Sequence, residues 1–235
     1  MRQAPIAQGP LSIELKGPFL RVPLGAPHKV LSFAPIRGGF QEASEVLWLR
    51  LFESDLKPPV VPRDFYMAKA RQLGMSENAV GMMTSADISH YRVVTRSFGG
   101  ESATCVVTAG LSNRRRIGDL PGPSGRIRKS YGTINILLVT SCFLTEKGML
   151  EAFSLMAEAR TLAMVEVGLK SPISHLPATG TGTDCLCLAA PRGAKGQSYA
   201  GKHTKIGHVI GEATYLAVKQ AASFWVEYYG IKGEG

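Results

Sequence analysis

The stretch TINILLVT, at residues Thr133 to Thr140, and the segment from Glu146 to Leu169 that follows it indicate how this chain folds. The first stretch is short and almost wholly apolar, which is typical of a buried strand. In the second segment Leu150, Phe153 and Ala163 lie on broadly helical spacing, which predicts a long helix. Together the two segments predict long helices that pack on a sheet.

Similar patterns extend over the rest of the chain. A Gly99-Gly100 turn predicts that the strands on either side of it form an antiparallel hairpin. Because the strands come in runs and the helices are few and long, we predict one α+β domain over residues 1–235, with a mixed, largely antiparallel sheet packed by several long helices. The further strands are predicted at Leu11–Leu15, Phe19–Val22, Lys29–Phe33, Ala79–Thr84, Tyr91–Arg96, Thr104–Thr108 and Asp184–Ala189, and the further helices over Gln41–Phe52, Arg63–Leu73 and Thr204–Tyr228.

The composition is that of an ordinary globular protein. Of the 235 residues, 45% are hydrophobic and 19% are charged, which argues against disorder. The formal net charge is +9, but apart from the clusters Arg114–Arg116 and Arg126–Lys129 the charge is spread along the chain. This pattern favours a solvated basic surface over a nucleic-acid interface. The second cluster belongs to a loop rich in Pro, Gly and Arg that is predicted over Pro121–Lys129.

The cysteines and the apolar runs carry no sign of export or membrane insertion. Cys105, Cys142, Cys185 and Cys187 form no C-x-x-C pair and lie in apolar surroundings, which predicts reduced core cysteines of a cytosolic protein. The first thirty residues lack the continuous apolar segment of a signal peptide, and no apolar run approaches the roughly 20 residues of a membrane-spanning helix. We therefore expect a cytoplasmic protein with no membrane partner.

The run PATGTGTD, at residues 177–184, is the clearest candidate for a binding site. Three threonines and an aspartate are poor core residues unless they are hydrogen-bonded, and glycine lets the backbone come close to a ligand. A tight glycine turn between a loop and a strand is the alternative interpretation. The pocket interpretation assigns substrate contacts to Thr179, Gly180, Thr181, Gly182 and Thr183, with the carboxylate of Asp184 at the end of the run.

A second motif, GQSYAGKHT at residues 196–204, nearly matches the phosphate-binding loop G-x-x-x-x-G-K-[ST]. His203 stands where Ser or Thr would hold magnesium, and no second magnesium-binding element is evident. A nucleotide-binding phosphohydrolase is therefore kept only as an alternative. The motif still places Lys202, His203 and Thr204 at a predicted helix start, which is a position that attracts anions.

A third motif, TAGLSNR at residues 108–114, directly follows a predicted strand. Polar residues just beyond strand ends are common binding positions, so Ser112 and Asn113 are candidates to bind an amide or to stabilise an oxyanion. A solvated turn with exposed arginines is the alternative. The histidines outside the second motif are isolated in the sequence, and no H-E-x-x-H or paired-cysteine pattern occurs, so no metal site is predicted.

Five segments, in this order, resemble the adenosylcobinamide amidohydrolase (CbiZ) family. They are TAGLSN (108–113), GTINILL (132–138), SP (171–172), ATGTGTD (178–184) and YAGKHT (199–204), and the resemblance covers roughly residues 28 to 220. It implies an enzyme of corrinoid salvage that hydrolyses the amide between a propionyl side chain of the corrin ring and aminopropanol. The implied products are adenosylcobyric acid and 1-amino-2-propanol, and cobyric acid re-enters cobalamin biosynthesis.

Amide hydrolysis needs an attacking group, oxyanion donors and a proton for the leaving amine. We predict that His203 is the general base and acid, that Asp184 orients it, and that Lys202 assists electrostatically. Asn113 and the backbone N–H groups near the two glycines of the PATGTGTD run are predicted to stabilise the oxyanion.

A hydroxyl nucleophile is the competing mechanism, with Thr181, Thr183 and Ser112 as candidates. No prosthetic group is expected, because the corrinoid is the substrate, and the sequence leaves open both a divalent-metal requirement and a homo-oligomer. A corrinoid-binding protein without catalysis is the second alternative function. The amide-rich corrin rim is predicted to contact Ser112, Arg114, Thr179, Gly180, Thr181, Gly182, Thr183 and Thr204.

Overall fold

The central strand and the long helix that the sequence indicates are both present in the computed structural model, which describes residues 11–52, 54–121 and 132–229. The helices are α1 (Pro62–Gln72), α2 (Glu146–Val167) and α3 (Lys205–Tyr229), close to the predicted bounds of Arg63–Leu73, Glu146–Leu169 and Thr204–Tyr228. The strands are β1 (Glu14–Lys16), β2 (Phe19–Ser32), β3 (Gly39–Arg50), β4 (Val80–Thr84), β5 (Arg92–Phe98), β6 (Glu101–Ala109), β7 (Arg114–Arg115), β8 (Ile134–Thr140), β9 (Gly180–Thr181) and β10 (Cys185–Pro191).

Eight of these strands form one sheet. Its order is β4-β3-β2-β10-β8-β6-β5, with β1 paired to β2. Strand β10 is parallel to β8 and β4 is parallel to β3, whereas the other neighbours are antiparallel. The predicted α+β class with a mixed, largely antiparallel sheet is therefore confirmed.

Strand β8 is almost wholly apolar because each of its two faces packs in a different hydrophobic core. Successive side chains of a strand point to opposite faces of the sheet. Ile136 and Leu138 pack on the face that α2 and α3 cover, and Leu137 and Val139 pack on the other face in a cluster that includes Trp48 of β3. All seven residues of β8 are buried.

The helix predicted over Gln41–Phe52 is wrong, because this segment is strand β3. Its apolar residues Val46 to Leu49 are consecutive, and such a short run fits a helix or a strand equally well. In the structure Val46 and Trp48 face one core while Leu47 and Leu49 face another. Antiparallel pairing with the long strand β2, a contact between distant residues, decides the outcome.

Smaller differences concern the first strands and one loop. The predicted strands Phe19–Val22 and Lys29–Phe33 belong to the single strand β2, whose pairing with β3 is irregular between Pro23 and His28. The Gly99-Gly100 hairpin is confirmed, with φ angles of 58° and 87° that suit glycine in a two-residue turn. Apart from Pro121, the predicted loop Pro121–Lys129 lies outside the described residues. The four cysteines are buried and free, as predicted.

His28 of β2 is buried in a neutral state. Its Nδ1 donates to the carbonyl of Ala26 at 2.8 Å, and its Nε2 is buried without a hydrogen-bond partner. Burial lowers the pKa of His28 from its ordinary value of 6.5, and the bond to Ala26 opposes this only in part. A protonated ring would leave a charged N–H group buried and unpaired, which is costly.

We expect His28 to make the protein less stable in mild acid. Below pH 6.5 the unfolded chain binds a proton that the folded chain excludes, so the free energy of unfolding falls with falling pH, by up to about 1.4 kcal/mol per pH unit. Urea unfolding at pH 7.5 and 5.5 measures this fall. The variant His28→Asn, whose amide can still donate to Ala26, should show a smaller fall, and an equal fall would contradict the assignment.

Candidate active site

Two of the motifs found in the sequence meet in the structure. Strand β7 pairs antiparallel with β9, so that Arg114 lies opposite Thr181 and Arg115 opposite Gly180. The N–H of Gly182 also donates to the carbonyl of Asn113 at 3.2 Å. The TAGLSNR and PATGTGTD segments therefore form one structure at the start of the two central parallel strands, β8 and β10.

The carboxylate of Asp184 is the centre of this structure. Its Oδ1 accepts hydrogen bonds from the hydroxyl of Thr181 at 2.5 Å and from the N–H of Ile134 at 3.3 Å. Its Oδ2 forms an ion pair with Arg160 of α2 at 3.0 Å, and both side chains are largely buried. Burial raises the pKa of Asp184, while the Arg160 charge and the bonds from Thr181 oppose that rise. A hydroxyl that donates to a carboxylate at this distance has the geometry of a nucleophile beside its base.

Gly180 is required here by close approach. A Cβ at this position would overlap Oδ2 of Asp184, whereas a Cβ at Gly182 would meet only ordinary contacts, 3.8 Å from Arg115 and from Asn113. The packing therefore leaves no room for a side chain at Gly180 but leaves room for one at Gly182.

We expect Gly180→Ala to lower the free energy of unfolding by about 1–3 kcal/mol, because the added methyl group displaces the paired carboxylate. Gly182→Ala is the matched control, since both changes restrict the unfolded chain equally. Urea unfolding of the two variants tests the difference. Equal stabilities would contradict the close approach at Gly180.

Asn113 and Thr183 form the second part of the site. The amide of Asn113 donates to the hydroxyl of Thr183 at 3.4 Å, and that hydroxyl donates to the carbonyl of Gly132 at 3.0 Å. The amide oxygen of Asn113 is buried without a partner. A buried polar atom left unpaired is rare in folded proteins, and this one is an acceptor. The donor of the same amide is its nitrogen, which carries two hydrogens. Ser112 precedes Asn113 and is half-buried.

Sequence reasoning missed three residues of this site. Thr133 is buried and its hydroxyl lies 2.7 Å from the carbonyl of Thr183 and 3.2 Å from the side-chain oxygen of Asn135. Asn135 is also buried and donates to the carbonyl of Met83 at 2.9 Å. Polar residues inside the apolar TINILLVT strand are a signal that could have found this pair. Nothing in the sequence distinguishes Arg160 from the other charges of α2.

The structure does not bring His203 and Lys202 to Asp184. His203 is exposed in the turn before α3, and Lys202 pairs with Glu158. Glu158 and Arg160 are two positions apart on α2, so their side chains point about 200° apart around the helix. The hydrogen bonds and the ion pair of Asp184 go to Thr181, Ile134 and Arg160. The predicted arrangement in which Asp184 orients His203 therefore does not occur.

Three residues predicted to bind substrate make hydrogen bonds that hold the backbone. Thr204 caps α3, since its hydroxyl accepts from the N–H of Gly207 at 2.9 Å. Thr179 accepts from the N–H of Ile117 at 2.8 Å, and the guanidinium of Arg114 donates to the carbonyl of Lys170 at 2.7 Å. Thr179 and Arg114 thereby tie together the two loops that carry the site.

The GQSYAGKHT segment does not have the arrangement of a phosphate loop. Such a loop presents free backbone N–H groups to phosphate. Here the N–H of Gln197 donates to Phe143, that of Ala200 to the carboxylate of Glu151 at 2.7 Å, and that of Thr204 to Gly201. The segment packs the start of α3 against the start of α2, which is a structural role.

Two further findings concern the described residues as a whole. In ranges 11–52, 54–121 and 132–229, no group of three or more His, Cys, Asp or Glu side chains is arranged to hold a metal ion. None of the helices in these ranges is long and apolar enough to cross a lipid bilayer.

Comparison with solved structures finds distant similarity. The PH0078 protein from Pyrococcus horikoshii OT3 matches with a TM-score of 0.46 at 9% identity, over 89% of this chain and 77% of that chain. A beta-aminopeptidase from a Burkholderia species matches with a TM-score of 0.44 at 12% identity, over 88% of this chain and 78% of that chain. TM-scores below 0.5 do not establish a shared fold.

Comparison of sequences identifies closer relatives. The adenosylcobinamide amidohydrolase of Methanosarcina mazei is 28% identical in an alignment of 170 residues that covers 68% of this chain and 74% of that protein. The uncharacterized protein MJ1613 of Methanocaldococcus jannaschii is 29% identical in an alignment of 176 residues that covers 68% of this chain and 69% of that protein. The family model described as adenosylcobinamide amidohydrolase matches residues 8–230. This chain therefore belongs to the adenosylcobinamide amidohydrolase family.

Proposed function

We propose that this protein hydrolyses the amide that joins a propionyl side chain of the corrin ring to aminopropanol in adenosylcobinamide. The products are adenosylcobyric acid and 1-amino-2-propanol. Membership of the amidohydrolase family and the name of the Methanosarcina mazei relative support this substrate. The observation that carries the chemistry is the hydroxyl of Thr181, held 2.5 Å from the carboxylate of Asp184 and one residue from the exposed Gly182.

Thr181 supplies the nucleophile in this proposal. Its Oγ forms a bond to the substrate's carbonyl carbon as its proton passes to Asp184. The negative charge that develops on the carbonyl oxygen is stabilised by the side-chain amide nitrogen of Asn113, which has a second N–H beside the one that it donates to Thr183. The proposal thus uses the hydroxyl mechanism that the sequence offered as the alternative to His203.

Asp184 then returns the proton. The carbon–nitrogen bond breaks, the amine of 1-amino-2-propanol takes the proton from Asp184, and the acyl group stays as an ester on Thr181. A water molecule, deprotonated by Asp184, hydrolyses that ester and restores the hydroxyl. In that second half, the proton that Asp184 took from water passes to the Thr181 oxygen as the ester bond breaks, which leaves the carboxylate ionised. The positive charge of Arg160 at 3.0 Å favours this anion.

The wider setting follows from this reaction. We place the enzyme in the cytoplasm, where the cobyric acid that it releases feeds cobalamin biosynthesis. Its partner is a small-molecule corrinoid, and no prosthetic group takes part in the proposal.

One experiment tests the function directly. Purified protein is incubated with adenosylcobinamide, with and without divalent metal ions, and both products are followed by mass spectrometry. Equal amounts of adenosylcobyric acid and 1-amino-2-propanol are expected. Tight binding with unchanged adenosylcobinamide would identify a corrinoid-binding protein instead. The variant His203→Ala should retain turnover, because none of the proposed steps uses His203.

A further inference from the structure

Four large aliphatic side chains are exposed on the two loops that carry the site. Ile117 is 83% and Leu120 78% exposed in the loop after β7, and Ile173 is 44% and Leu176 52% exposed in the loop before β9. Single exposed apolar residues are ordinary, whereas several together mark a binding surface. We call these four residues the apolar rim.

Hydrogen bonds hold together the two loops that carry the rim residues. The N–H of Ile117 donates to Thr179 at 2.8 Å. The hydroxyl of Ser171 donates to Asp119, the neighbour of Leu120, at 2.5 Å. The N–H of Ser171 also donates to the carbonyl of Leu176 at 2.8 Å, which closes the segment that contains Ile173. The rim is therefore built on an ordered, cross-linked backbone.

The same backbone continues into the candidate site. Arg115, two residues before Ile117, pairs with Gly180, next to Thr181. The N–H of Thr179 donates to the carbonyl of Arg115 at 2.9 Å. If an amide of a ligand reaches Thr181, the remainder of that ligand therefore lies beside the apolar rim.

We propose that the apolar rim binds the apolar face of a large macrocyclic substrate while one amide of its periphery enters the Thr181–Asp184 site. This inference rests on the proposed function and adds the surface that recognises the ring. A small amide would leave the rim in water, whereas a broad macrocycle covers it and removes apolar surface from water on both partners. The guanidinium of Arg114 donates through Nε to the carbonyl of Lys170, which holds this side chain against the loop before β9.

The test compares rim variants with a control at an exposed leucine outside the rim. Ile117→Ser and Leu120→Ser each remove one rim side chain, and Leu150→Ser removes a leucine of α2 that is 56% exposed and outside the rim. The dissociation constant of adenosylcobinamide is measured by equilibrium dialysis with visible absorption, and KM and kcat by product formation. Thermal unfolding and the sedimentation coefficient are recorded for every variant.

We expect each rim variant to weaken binding about tenfold, a factor consistent with uncovering one aliphatic side chain. KM should rise with the dissociation constant, kcat at saturation should stay unchanged, and Leu150→Ser should match the original protein. Unchanged binding in the double variant Ile117→Ser/Leu120→Ser would overturn the inference. So would unchanged binding together with conversion of a dimer to a monomer, because the rim would then join two copies of the chain.

The two proposals fail in different ways. If the original protein binds adenosylcobinamide without hydrolysing it, the proposed function is wrong, and the dissociation constants of the variants still decide the rim. If it hydrolyses adenosylcobinamide and the rim variants keep the original KM, the rim is wrong and the function stands. Absence of any binding would overturn both.

Discussion

Thr181→Ala should lower turnover of adenosylcobinamide by about 10²–10⁴-fold, the range typical of losing a positioned proton-transfer pair. Asp184→Asn should have a loss of similar size, because an amide cannot take the proton of Thr181. The double variant should be no worse than the poorer single variant, since the two groups act as one unit. Initial rates of product release measure all three.

The choice of nucleophile has its own control. Thr133 supplies a second hydroxyl at the site, which lies 2.7 Å from the carbonyl of Thr183 and 3.2 Å from the side-chain oxygen of Asn135. Thr133→Ala should therefore destabilise the protein but retain turnover at a temperature at which it is folded. Thr181→Ser should recover part of the rate, because it restores the hydroxyl. Full turnover in Thr181→Ala with none in folded Thr133→Ala would transfer the nucleophile to Thr133.

Arg160→Met should lower the free energy of unfolding by about 3–5 kcal/mol. The change leaves the buried carboxylate of Asp184 without its ion-pair partner. Urea unfolding measures the loss. The double variant Arg160→Met/Asp184→Asn should recover much of it, because removing both charges also removes the unpaired one.

An exposed ion pair provides the comparison. Arg192 pairs with Glu42 at 3.1 Å, and both side chains are about half exposed. Exposed pairs contribute roughly 0–1 kcal/mol, so Arg192→Met should change stability little. A similar loss in Arg160→Met and Arg192→Met would mean that the Asp184 pair is no more important to the fold than a surface contact.

The sequence was a good guide wherever local pattern and final environment agree. The helices α2 and α3 have apolar spacing that only a helix satisfies, and the Gly99-Gly100 turn has residues suited to a tight hairpin. Strand β3 shows the limit, because the run Val46 to Leu49 is buried on both sides of the sheet and carries no period. Its pairing with β2 on one side and β4 on the other makes it a strand.

The site divides in the same way. The sequence by itself identified the PATGTGTD and TAGLSNR segments, because clustered glycines, hydroxyls and a carboxylate are poor material for a core and need partners. It could not say which partners. Asp184 pairs with Arg160 and accepts a hydrogen bond from Thr181. His203 and Lys202, which the sequence made equally plausible partners of Asp184, lie on another side of α2. Sequence therefore determined the chemistry available and most of the elements. Tertiary structure alone decided which groups lie within hydrogen-bonding distance, since that depends on how distant strands and helices pack.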